Sequence, residues 1–170
     1  MTDTATAPKI LPLKKFMIIE MIASAIINGG FGMLFGWLVA RNMENVPFTG
    51  PGGIIIDVLV TGFVIGVLLT LIATPLLRGR IGKGVVPDYP KETLPFPLRI
   101  LPQNVILRAL MMGVIGIVVI GPLILMVFWV LKITQLSLAL FIWVKGFYGG
   151  VFGVVFTPLA MLPMMAGKIK

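Results

Sequence analysis

Four long apolar stretches, at residues 16–40, 54–77, 105–131 and 136–162, constrain this chain more than any other feature in it. Crossing a ~30 Å hydrocarbon core at ~1.5 Å per residue takes about 20 helical residues, and each stretch is longer than that. Charge is correspondingly sparse: 12% of residues are charged, against ~25% in soluble domains. The hydrophobic share is 58% and the mean hydropathy +1.09. Within lipid every backbone polar group must be bonded inside the structure, so stretches of this length and composition read as membrane-crossing helices. The four together leave no room for a separate soluble domain. The first is too long and too studded with polar residues for a signal peptide, and no small-residue cleavage site follows it.

The two halves echo each other. Val60-Thr61-Gly62-Phe63, Gly66-Val67 and Thr74-Pro75-Leu76 recur as Val144-Lys145-Gly146-Phe147, Gly150-Val151 and Thr157-Pro158-Leu159. The offset is 84 (144 − 60), slipping to 83 (157 − 74) at Thr-Pro-Leu, and at 84 Ala25, Gly29 and Gly32 fall on Ala109, Gly113 and Gly116. The chain therefore reads as one two-helix hairpin written twice. A unit with two spans re-enters the membrane in the same direction, so the implied symmetry is a parallel pseudo-twofold along the membrane normal rather than an inverted repeat. The expected organisation is a lead-in at 1–15, a first hairpin at 16–78, a proline-rich loop at 79–104 and a second hairpin at 105–165. Pro87, Pro90, Pro95, Pro97 and Pro102 exclude a regular helix from that loop and favour extended chain lying along the interface. Pro75, Pro122 and Pro158 fall inside spans, where each is expected to bend its helix.

Charge sets the orientation. The termini and the long loop, which share a side in a four-span chain, hold Lys9, Lys14, Lys15, Arg78, Arg80, Lys83, Lys91, Arg99, Arg108, Lys168 and Lys170. The other side holds Arg41, Lys132 and Lys145. Positive residues accumulate in cytoplasmic loops, which makes both termini cytoplasmic. Trp37, Trp129 and Trp143 fall toward the outer ends of spans, as an interfacial belt. The expectation is an all-α membrane protein of four transmembrane helices, built from two tandem parallel hairpin repeats and lying in the bacterial plasma membrane. The net charge of +8 is scattered over helix ends rather than gathered on one face, which argues for anionic lipid headgroups as partners and against nucleic acid.

Inside the spans the informative residues are glycines and a few polar groups. Gly32 and Gly36, Gly62 and Gly66, Gly146 and Gly150, and Gly149 and Gly153 are each spaced four apart, which lets helix backbones approach closely. The first use of such seams is packing within the chain; the second is a homo-oligomer or a larger membrane complex. Glu20, Asp57, Arg108 and Lys145 are ionisable and lie within spans, where charge is costly unless paired. Their depths predict two intramembrane pairs, Glu20 with Arg108 and Asp57 with Lys145. Asn28 sits near the middle of the first span and is expected to bond across helices, with Tyr148 and Thr70 as candidate partners.

Catalysis has little to work with. The chain contains neither cysteine nor histidine, so it offers no thiolate site, no covalent haem and no imidazole for zinc, haem or chlorophyll. Ser24 and Ser137 are its only serines and lack a histidine to activate them. Arg78-Gly79-Arg80-Ile81-Gly82-Lys83-Gly84 has the wrong glycine spacing for a phosphate loop, and Gly84 stands where Ser or Thr is needed.

Each half, with a lead-in helix, a short proline-containing loop and a second helix ending in Ala73-Thr74-Pro75-Leu76-Leu77-Arg78, resembles a family of small uncharacterised bacterial two-helix membrane proteins. The second copy, Phe156-Thr157-Pro158-Leu159-Ala160, lacks the following arginine. The resemblance implies a membrane hairpin and brings no activity with it. Two functional readings follow from the residues. The first is a non-catalytic accessory or structural subunit, or self-associating bundle, with lipid or pigment in its helix grooves and no identifiable cofactor. The second is a small oligomeric transporter or channel with Glu20, Asn28 and Asp57 along a polar path.

Overall fold

The computed structural model describes residues 10–167, so most of the lead-in, with Lys9, and the terminal Lys168 and Lys170 lie outside the described residues. Four helical segments are long and apolar enough to cross a membrane: Leu13–Ala40, Ile54–Gly82, Val105–Val130 and Leu138–Met165. The first, second and fourth are continuous helices α1, α2 and α6. The third is made of α4 (Val105–Ile115), a π-helical turn (Gly116–Ile120) and α5 (Gly121–Val130). The wide turn ends directly before Gly121-Pro122, where the proline removes a backbone donor and its ring crowds the preceding turn. By contrast Pro75, Pro158 and Pro163 are absorbed within unbroken helices. Thr70, Thr74 and Thr157 bond back to the carbonyls of Gly66, Thr70 and Gly153 at 2.8, 2.6 and 2.7 Å, which keeps their hydroxyls satisfied without water.

α6 is the centre of the bundle. It packs along the full length of α1 on one side and against α2 on another, while α2 packs against the third span. Small residues set both long seams. Gly32 faces the backbone at Lys145 and Gly146, where an added Cβ would sit 2.6 Å from the Lys145 carbonyl oxygen. Gly149 and Gly153 lie equally close to the backbone of Asn28 and Ser24. Across the other seam Gly62 lies against Gly116, and Gly66 against Met112 and Gly113, with an added Cβ 2.6 Å from the Met112 carbonyl oxygen. Gly36 differs in role, because it meets the side chain of Lys145 rather than backbone.

The sequence predicts only loops between the spans. Two features appear there instead. Short strands β1 (Asn45–Pro47) and β2 (Gln135–Ser137) pair antiparallel, with Val46 opposite Leu136. Both of these central side chains are buried while their neighbours are exposed, so the ribbon ties the two hairpins together at one end of the bundle. At the other end, the proline-rich loop is not wholly extended. It holds a 3₁₀ turn (Lys91–Thr93) and the four-residue helix α3 (Phe96–Arg99). Leu94, Leu98 and Leu101 are buried in the main apolar core. Arg99 holds the loop closed by donating to the carbonyls of Leu94 at 2.6 Å and Glu92 at 2.7 Å. A second core at this end joins Phe16, Leu77, Met161, Met164 and Met165, which brings the start of α1 together with the ends of α2 and α6.

Candidate functional site

The packing leaves one pair of neighbours unjoined. α1 is held by α6, α2 by α6 and the third span, and no comparable seam links α1 to α2. Between them runs a groove of about 650 Å³, floored by α6 through Lys145, Thr157 and Met161. It extends from Glu20 to Val39 on α1 and from Asp57 to Arg80 on α2, roughly 30 Å at ~1.5 Å per residue, the full depth of a hydrocarbon core. Its walls are almost entirely apolar.

The residues of α2 explain why the groove exists. Buried positions Val58, Gly62, Gly66, Thr70 and Thr74 recur every fourth residue and are mostly small, so this face closes on the third span and α6. The opposite stripe, Val60, Val64, Leu68, Ile72 and Leu76, is large, apolar and exposed. Bulk on that stripe prevents α1 from approaching α2 as closely as α1 approaches α6. Phe31 and Phe35, stacked with centroids 6.2 Å apart, add bulk on the α1 side.

Ion pairs close both ends. At the ribbon end Lys145 pairs with Asp57, and Tyr148 donates to the other oxygen of the same carboxylate. The stem of Lys145 crosses α1 over Gly36, which has no side chain to obstruct it, and the ammonium lies 5.6 Å from the centroid of Phe141. All three polar groups are buried, at 3% exposure for Lys145, 9% for Asp57 and 4% for Tyr148, so this constellation is internally neutralised. At the opposite end Glu20 of α1 pairs with Arg80 of α2, with side chains 22% and 45% exposed. Glu20 and Asp57 are thus both at the groove, at opposite ends of it.

Glu20 and Arg108 are not brought together. Depth alone made them partners, but α1 and the third span lie on different flanks of the bundle. Arg108 instead enters the seam between the third span and α2, fully buried. It donates to the Thr74 hydroxyl at 2.8 Å and to the Pro102 carbonyl at 3.4 Å, and its Nε has no hydrogen-bond partner among the described residues. Asn28 also departs from expectation. Its amide donates to the Ser24 carbonyl at 2.8 Å and the Ser24 hydroxyl at 3.1 Å, one turn back on its own helix, rather than across helices. Thr70 and Tyr148 are occupied elsewhere, by Gly66 and Asp57.

Two contributors were not singled out from sequence. Arg80 counted only as one more basic residue at a helix end, because its partner is 60 residues away. The large-residue stripe of α2 was legible as a four-residue period opposite the glycines, but in a chain where every face is apolar that period does not announce a cavity. Among the described residues no cluster of carboxylates could hold a metal ion. Comparison with family models, with curated proteins and with solved structures finds no match to this chain.

Proposed function

We propose that this chain is a non-catalytic, multi-pass protein of the plasma membrane whose groove between α1 and α2 holds lipid, and that it serves as a structural or accessory component there. The groove carries the reading. Its volume of about 650 Å³ falls within the ~300–1,000 Å³ of small-molecule sites. Its apolar walls, its length and its opening toward the bilayer suit hydrocarbon chains. The absence of histidine and cysteine from the sequence supports a non-catalytic role.

We also read the scaffold as two copies of one hairpin with both termini in the cytoplasm. Supporting this, the α1–α6 seam uses Gly29, Gly32, Gly146 and Gly150, and the seam of α2 with the third span uses Gly113, Gly116, Gly62 and Gly66, the same positions shifted by the sequence offset. A polar transport path has less behind it. Asn28 is bonded within its own helix, and both oxygens of Asp57 are occupied.

Native mass spectrometry after mild-detergent extraction tests the lipid reading. The protein is expected to retain lipid adducts, and Leu68→Trp, which fills the middle of the groove from an exposed position, to lose most of them. Equal retention by the two proteins would overturn the reading.

A further inference from the structure

The two ends of the groove are chemically unlike, and the difference selects both an orientation and a class of lipid. At the ribbon end Asp57, Lys145 and Tyr148 satisfy one another under cover, and the exposed charges nearby are two bases, Arg41 and Lys132, against one acid, Glu44. At the opposite end Arg80 is half exposed even while paired with Glu20. The two helices that form this mouth carry Lys14, Lys15, Arg78, Arg80 and Lys83 against one acid, Glu20, and the four besides Arg80 are all exposed. The nearby loop adds exposed acids at Asp88 and Glu92, set beyond the mouth rather than on its two helices. Arg80 lines the slot itself and the other four bases stand on the same two helix ends, an arrangement that matches a phosphate on one end of a hydrocarbon chain.

We propose that the groove's occupant is an anionic phospholipid that enters from this basic end, with its phosphate at Arg80 and an acyl chain along Leu76 and Ile72. This rests on the reading of the groove as a lipid site. Reach follows from the geometry. Ile72 lies eight residues from Arg80 (80 − 72), about 12 Å along the helix and inside the ~15 Å of one leaflet. Val60 lies twenty residues away (80 − 60), about 30 Å, beyond that reach. The Glu20 carboxylate competes with the lipid phosphate for the same guanidinium, so it tunes how strongly the site prefers an anion.

The test uses the whole protein in nanodiscs of equimolar phosphatidylglycerol and phosphatidylcholine with matched chains, released into mild detergent and weighed intact. Wild-type protein is expected to retain phosphatidylglycerol in preference to phosphatidylcholine. Arg80→Gln should lower that ratio about fivefold, the worth of one basic side chain at a membrane surface, while Glu20→Gln should raise it. A merely structural ion pair would move the ratio in the same direction in both variants, and that result would overturn the inference. Ile72→Trp should displace lipid and Val60→Trp should not; equal displacement by both would overturn the orientation. If lipid is retained and Ile72→Trp displaces it, but headgroup has no influence, the anionic inference fails and the groove stands. If wild type and Ile72→Trp retain the same lipid, the groove reading itself fails.

Discussion

The buried pair of Asp57 and Lys145 shows how a single glycine determines what a charge can reach. Lys145 belongs to α6 and Asp57 to α2, and the stem that joins them passes over Gly36 of α1, where an added Cβ would lie 2.9 Å from the lysine Cδ. A buried pair adds little over well-packed apolar residues, but removing one partner strands the other and costs about 3–5 kcal/mol. Asp57→Asn should therefore lower stability in a denaturing-detergent titration by that order, whereas Asp57→Leu combined with Lys145→Met should restore most of it. Equal losses in the single and double variants would show that the pair acts through something other than charge. Residue depth was readable from sequence, and it set Asp57 and Lys145 at the same level. Depth is one coordinate, however, and the flank of the bundle is another. Glu20 and Arg108 share the first and not the second, which is why Arg80, on the helix across the groove, takes the partner that depth had assigned to Arg108.

At the scale of elements, the seams are set by glycine and the groove by its absence. In hydrocarbon there is no hydrophobic drive to join two helices, so approach distance decides which pairs close. Gly32 and Gly66 each lie against backbone, which cannot move aside as a flexible side chain would. Gly32→Ala or Gly66→Ala should force the seam open at about 1–3 kcal/mol, while Gly30→Ala, with open space around it, should be neutral or stabilising by up to ~1 kcal/mol. Thermal unfolding in detergent reads the difference, and a Gly30 variant as damaged as the other two would refute the seam argument. The glycine spacing and the four spans were plain in the sequence because both are local patterns. The ribbon of Asn45–Pro47 with Gln135–Ser137 was not, because each strand has three residues and its partner lies in the other half of the chain. The π turn before Pro122 was foreshadowed only as a bend, since proline marks the place of a disturbance and neighbouring helices select its form.

At the scale of the molecule, the two ends of the bundle differ in charge and in what they hold. The described ends of the chain, near Leu11 and Met165, meet in one apolar cluster with the end of α2, so both termini leave the bundle at the basic end. The ribbon end holds Arg41, Lys132 and Lys145, and the last of these is neutralised by Asp57. Positive residues near short loops resist translocation, which is the ground for the proposed orientation with the basic end in the cytoplasm. The chain contains no cysteine, and single cysteines introduced at exposed positions therefore report orientation without background. In intact cells a membrane-impermeant maleimide should label Thr49→Cys, beside the ribbon, and leave Lys83→Cys unlabelled until the cells are opened. The reverse pattern would invert the protein and would also move the proposed phosphate contact at Arg80 to the outer leaflet, where anionic lipid is scarcer and the electrostatic case for that lipid weakens. Labelling of both positions in intact cells would mean that some chains insert each way, as expected only if the charge difference between the two ends were too small to direct insertion.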